Sequence, residues 1–266
     1  MADRRLNSAT LVTALYDIGR GDWHNYQRSF HSYIHYVTNV LKLNIPLVVY
    51  CEESTSDHLK IKYRNLLHSN VHIVTKPFRE IEYEKHRQVV QEIMKSKQFR
   101  KDNQMLNNPE GFSVDYILLM NNKLSFVKNS IKINKFNSTH YFWIDAGYGH
   151  GDRDVFPADE GWSPTKLMTM NTTVTFTVLN DPNLHKDIIL RLHKKNVDPV
   201  IAGGFFGGHK KAVLEFYHLY NKIFNSMVLE NIVDDDQNIA LMCNYELPRL
   251  FNLVPGDWFD AFKLYG

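Results

Sequence analysis

The stretch from Thr139 to Gly151, THYFWIDAGYGHG, constrains the fold of this chain more than any other. An apolar and aromatic run, His140 to Ile144, stops at Asp145, and Ala146, Gly147, Gly149 and Gly151 follow. The pattern predicts a strand that buries Phe142 and Ile144, ends in one carboxylate and leads into residues that let other atoms approach the backbone. At a sheet edge such an arrangement can hold a metal ion or a polyphosphate. The plainer alternative is an aspartate that caps a turn.

The remaining segments alternate between strand and helix patterns. Thr10 to Tyr16 reads as a first strand, Asp17 to Asp22 as a loop turned by Gly19 and Gly21, 25–43 as a helix, and Ile45 to Cys51 as a strand buried on both faces. Strand, helix and strand make a right-handed βαβ unit, so the class is α/β. A polar helix over 57–67 and a strand over 71–75 follow. The highly charged segment 80–104 has a thin apolar stripe and reads as an exposed helix or lid. Helices are expected over 113–133, 183–195 and 209–225 and again after Val233, with strands over 173–179 and 250–254. Without a repeat or a linker the simplest partition is a single domain over 1–266, with parts of about 10–150 and about 151–266.

Composition narrows the class of function. The 266 residues are 44% hydrophobic, as a folded globule requires, and 31 basic against 29 acidic side chains leave a net charge of +2. That balance gives no electrostatic case for nucleic acid, although a local pocket can still take a small anion. Cys51 and Cys243 sit in apolar settings and read as reduced core thiols. No apolar signal core follows Arg4 and Arg5 and no run reaches a membrane span, so the expected location is cytoplasmic. Peripheral attachment to a membrane is also compatible with this reading.

Three stations carry the chemistry: Asp145 after its strand, the glycine pairs around Phe205 and Phe206, and Asp234-Asp235-Asp236 before a helix. Doubly wound sheets gather strand ends along one edge, which brings the three within reach of one cleft. Gly203 and Gly204 permit close approach of a ligand to the backbone, and either phenylalanine offers a flat face to a sugar or base; a tight junction with both rings in the core is the alternative. Asp235 or Asp236, followed by Gln237, can act as a base toward a hydroxyl or stabilise charge on a sugar ring, unless the triplet is a solvated helix start. Asp17 and Arg20 follow the first strand, where nucleotides bind in α/β folds, and Lys123 can reach a phosphate. His31 and His35 have metal-ligand spacing, but Ser32 stands where a zinc protease needs glutamate, so a plain amphipathic helix is favoured. The P-loop, GxSxG and GxGxxG patterns are missing, which argues against P-loop ATPases, serine hydrolases and dinucleotide oxidoreductases.

TALYDIGR near the start, the lysine after Asn121-Asn122, FWIDAGYG, GGFFGG and the late DDQ together resemble the HtrL/YibB family from about Leu11 to Phe251. The later half is also similar to blood-group A/B type glycosyltransferases. That resemblance implies a GT-A-like fold with a Rossmann-like mixed sheet flanked by helices, and a manganese or magnesium ion held by a DxD motif against a sugar-nucleotide diphosphate. By position Asp145 matches the first aspartate of DxD and is the implied metal ligand. Gly147 stands where the second should be, so the resemblance leaves open a metal held more weakly, held with more water, completed by a residue elsewhere such as Asp152 or Asp154, or absent. Gly203, Gly204, Phe205 and Phe206 match the bracket facing the acceptor and the transferred sugar, and Asp236, then Asp235, match the catalytic acidic pair.

The expected function is therefore a glycosyltransferase that moves a sugar from a UDP- or GDP-sugar to a glycan, polysaccharide or lipid-linked saccharide acceptor. The missing carboxylate keeps open a catalytically inactive sugar- or nucleotide-binding protein of the same fold. A nucleotidyltransferase comes third, because the loop after the first strand makes a poor version of its basic glycine loop.

Overall fold

The computed structural model describes residues 8–158 and 161–266, so Arg4 and Arg5 lie outside the described residues, as do two positions of the loop after Gly151. Seven strands, β1 (Ala9–Leu15), β2 (Leu47–Cys51), β3 (Val71–Thr75), β4 (His140–Ile144), β5 (Val174–Val178), β6 (Ile201–His209) and β7 (Phe251–Pro255), form one sheet. Its order is β3-β2-β1-β4-β6-β5-β7. β1 pairs in parallel with β2 and β4, β2 with β3, and β5 with β7. β6 runs antiparallel between β4 and β5. The longer helices are α1 (Phe30–Leu41), α2 (Glu53–Lys62), α3 (Arg87–Lys95), α4 (Val114–Ile133), α5 (Lys210–Leu229) and α6 (Asp236–Glu246). This is the mixed sheet flanked by helices that the resemblance implied. Among the described residues no helix is long and apolar enough to cross a membrane.

Alternation along the strands sends neighbouring residues to opposite faces, and each face has its own core. Val12, Val48, Trp143 and Phe206 pack on the side of α4 and α5, whereas Leu11, Val49, Phe142 and Phe205 pack on the side of α1. α1 begins later than its apolar spacing suggests. Ser29 caps it by accepting the Ser32 N–H at 3.1 Å, and Tyr26 takes a left-handed φ of 59°, so 25–29 belong to a loop. The charged segment 80–104 is not a lid: Ile81, Tyr83, Val90, Ile93 and Phe99 are buried in the core. Its stripe is thin in α3 alone, but the rings of Tyr83 and Phe99 on either side widen it. The helix expected over 183–195 is a run of 3-10 turns, Lys186–Lys194. Cys51 and Cys243 are buried free thiols.

The GGFFGG bracket lies within a strand and not in a ligand loop. Phe205 and Phe206 are 2% and 3% exposed, one in each core. Phe205 stacks on Phe142 with ring centroids 5.7 Å apart, and Phe206 on Phe176 at 4.9 Å. The expectation that these rings meet an acceptor is thus corrected, because β6 is a central strand with both faces covered. Phe206→Ala should lower the unfolding free energy by about 3–5 kcal/mol, as large-to-small changes in a packed core do. Urea denaturation checks this, and an unchanged midpoint would return the ring to a surface role.

Candidate active site

The ends of β1 and β4, the start of β6 and the first turn of α6 meet around a cleft of about 450 Å³, within the range of small-ligand sites. Asp17, Arg20, Lys123, Asp145, Gly147, Gly203, Gly204, Asp236 and Gln237 line it; Asp235, Phe205 and Phe206 do not. Asp145 follows β4 directly, and its N–H continues the ladder by donating to Gly204 O at 2.9 Å. Trp143, two residues earlier and on the same face, donates its indole N–H to Asp145 Oδ1 at 2.7 Å.

At the centre of the site is Lys123, which is only 3% exposed. Its ammonium lies 2.9 Å from Asp236 Oδ2 and 3.2 Å from Asp145 Oδ1, and it donates to Gly203 O at 3.1 Å. The ammonium has three hydrogens and finds three acceptors, so the side chain is satisfied without a phosphate. The expectation that Lys123 reaches a phosphate is corrected: its place is between two carboxylates. The backbone of β6 passes close to the same group. A Cβ on Gly203 would lie 2.7 Å from Asp236 Oδ2, so glycine there leaves room for the carboxylate.

α4 holds the neighbouring elements through the two residues before Lys123. Asn121 Nδ2 donates to Asp234 O at 3.0 Å and its Oδ1 accepts from the Tyr220 hydroxyl at 2.6 Å. Asn122 Oδ1 accepts from Tyr83 N at 3.4 Å. The three aspartates divide their work. Asp234 Oδ1 accepts the Asp235 N–H at 2.8 Å and its Oδ2 accepts from Asn238 Nδ2 at 2.8 Å. Asp235 is the N-cap of α6, accepting from Gln237 N at 3.1 Å and Asn238 N at 3.4 Å. Asp235 is therefore a structural cap, and only Asp236 presents its carboxylate to the cleft.

Burial pushes the Asp236 carboxyl up to about 7; Lys123 opposes the rise, and Asp235 and Asp145 add to it. Asp235 rises to about 6, from burial and then Glu110. Burial works against the Lys123 charge, but Asp145 and Asp236 outweigh it and hold the ammonium protonated above its ordinary range. One permanent cation thus sits beside an acid that titrates near neutrality, a combination found where protons are moved.

Nearly the whole sequence, residues 7–266, matches the family model described as "Bacterial protein of unknown function (HtrL_YibB)". The chain belongs to the HtrL_YibB family. Protein HtrL of Escherichia coli (strain K12) is 32% identical over 283 residues, which cover 97% of this chain and 93% of that relative. Among solved structures, mouse xyloside xylosyltransferase 1 in its apo form is similar at 12% identity with a TM-score of 0.46, over 93% of this chain and 85% of that one. A 4-diphosphocytidyl-2C-methyl-D-erythritol synthase from Anaerococcus prevotii DSM 20548 is similar at 9% identity with a TM-score of 0.41, over 96% and 89%. Both likenesses are too distant to carry an activity across, so the chemistry is read from the side chains of this HtrL_YibB chain.

Those side chains do not fit the manganese or magnesium ion that the resemblance implies. Asp145 Oδ1 is taken by Trp143 and Lys123, which leaves Oδ2. Gly147, at the second DxD position, packs on α1: a Cβ there would lie 2.8 Å from Tyr33 Cε1. The volume a second carboxylate would need is filled by a tyrosine ring. Asp152 accepts the Asp154 N–H at 2.9 Å, and both residues are exposed and outside the cleft. Among the described residues no three His, Cys, Asp or Glu side chains form a group that could hold a metal ion. His31 and His35 are both exposed on α1.

Other lining residues escaped the sequence reading. Trp143 was legible in principle, two positions before Asp145 on one strand. His150 belongs to the opening motif but was not singled out there, whereas Arg28, Tyr33, Trp258 and Phe259 come from segments with no motif of their own and reach the cleft through the packing around α1 and the C-terminal turn.

Proposed function

We propose that this chain binds a nucleotide sugar in the cleft and transfers the sugar to a hydroxyl of a saccharide acceptor. The observation that supports the reading is the convergence of Asp145, Lys123 and Asp236 on the glycine backbone of β6 at the carboxyl end of the parallel strands, where α/β sheets bind nucleotides. In the transfer the acceptor oxygen bonds to the anomeric carbon and the bond from that carbon to the diphosphate oxygen breaks. The electron pair of that bond leaves with the diphosphate. Asp236 takes the acceptor proton. Lys123 orients Asp236 and Asp145 and prevents their mutual repulsion. Trp258 and Phe259 at the cleft supply apolar faces on which an acceptor sugar can stack.

One observation favours a second reading, binding without turnover: Lys123 engages both carboxylates at once. A panel of UDP- and GDP-sugars, with saccharide acceptors and without, separates the two. Transfer predicts release of nucleoside diphosphate from at least one donor, whereas saturable binding with no release supports the second reading. A panel that neither binds nor turns over would remove both.

A further inference from the structure

We propose that Arg20 and Arg28, set against Tyr33, hold the diphosphate of the donor, so that this chain neutralises its leaving group with guanidinium groups and without a divalent cation. The inference rests on the nucleotide-sugar reading of the cleft and goes further by assigning the anion site. It starts from the exchange at Gly147, where the Tyr33 ring occupies the space of a metal-binding carboxylate. Around that ring the chemistry is inverted. The Tyr33 hydroxyl accepts from Arg20 Nη1 at 2.6 Å and from Arg28 Nη1 at 3.5 Å. The Arg28 guanidinium lies 5.7 Å from the centroid of Tyr33 and 6.0 Å from that of Tyr36, and Arg20 lies 5.5 Å from that of Trp23.

The loop carrying the two arginines is closed on itself. Arg20 Nε donates to Tyr26 O at 2.8 Å, Arg28 N to Arg20 O at 3.1 Å, and Gln27 Nε2 to Gly21 O at 2.5 Å. Both guanidinium groups line the cleft, and among the described residues neither forms an ion pair with a carboxylate. Two forks with unspent donors match the charge and the paired oxygens of a diphosphate, which arginine binds in bidentate fashion. Their field already reaches across the site: burial lowers the His150 pKa, and Arg28 and then Arg20 lower it further. A divalent ion on Asp145 would meet that same field, with the Lys123 ammonium 3.2 Å from the carboxylate.

Calorimetric titration of the full chain with inorganic pyrophosphate, UDP and GDP, in chelator and in manganese, tests the clamp. The expected result is pyrophosphate binding in chelator within a few-fold of that in manganese, weakened at least tenfold by Arg28→Gln and by Arg20→Gln, with less loss in Arg28→Lys. Pyrophosphate that binds only with manganese, or that binds equally well to both glutamine variants, would overturn the proposal. Pyrophosphate binding that depends on the arginines, with no binding of UDP, GDP or any nucleotide sugar, would leave the clamp standing and remove the nucleotide-sugar reading.

Discussion

Asp236→Asn should abolish sugar transfer while leaving nucleotide binding within a few-fold of the parent. Loss of a positioned general base costs about 10²–10⁴ in rate. Asn has nearly the same volume as Asp and still accepts the Lys123 hydrogen bond through its amide oxygen, so the site should remain assembled. Because burial pushes Asp236 up to about 7, the parent rate should rise with pH through neutrality as the base form is populated. The same shift has a consequence for stability. A carboxyl whose pKa is higher in the folded chain than in the unfolded one favours folding when protonated, so its contribution is largest below pH 4 and declines as pH rises toward 7. Asp235, raised to about 6, acts in the same direction. The stability of the parent relative to Asp236→Asn should therefore fall between about pH 4 and 7, since the variant lacks this titration. Transfer rates and thermal unfolding across this range check both statements; a variant that keeps its turnover would move the catalytic role to another residue.

Lys123→Met should strongly destabilise the fold. Removing one partner of a buried ion pair leaves an uncompensated charge and typically costs about 3–5 kcal/mol. Here two carboxylates and the Gly203 carbonyl lose their common donor. Protonation of Asp236 offsets part of the cost, so the loss should be smaller at pH 5 than at pH 8. The double variant Lys123→Met with Asp236→Asn should recover part of the stability, since it no longer buries the second charge. Denaturation of the four proteins in this cycle measures the coupling. Stability of Lys123→Met within 0.5 kcal/mol of the parent, on the order of the error of additivity, would mean that the lysine is not what holds the carboxylates together.

Much of the architecture was legible because it follows from local chemistry. The runs before Asp17 and Asp145 are apolar and β-branched or aromatic, the helix over 113–133 has its periodicity and its Ser113 cap, and the helix between β1 and β2 goes with their parallel pairing. Boundaries failed where a cap or a turn overrode periodicity, as at Ser29 and Tyr26. The charged segment 80–104 was misjudged because its apolar surface is spread over several short turns and no single helix collects it.

The sequence by itself determined that this is an α/β chain with a carboxylate at the end of a buried strand and a second acidic station late in the chain. Only the tertiary structure decided the roles, because each depends on what lies across the cleft. Gly147 could be read as a lost metal ligand; packing shows that Tyr33 requires it. Asp235 and Asp236 are adjacent in sequence, yet the geometry of a helix start turns one into a cap and sends the other to Lys123. Lys123, Asp145 and Asp236 sit on separate segments of the chain. Their meeting is a property of the sheet edge, where burial sets their charges and so their chemistry.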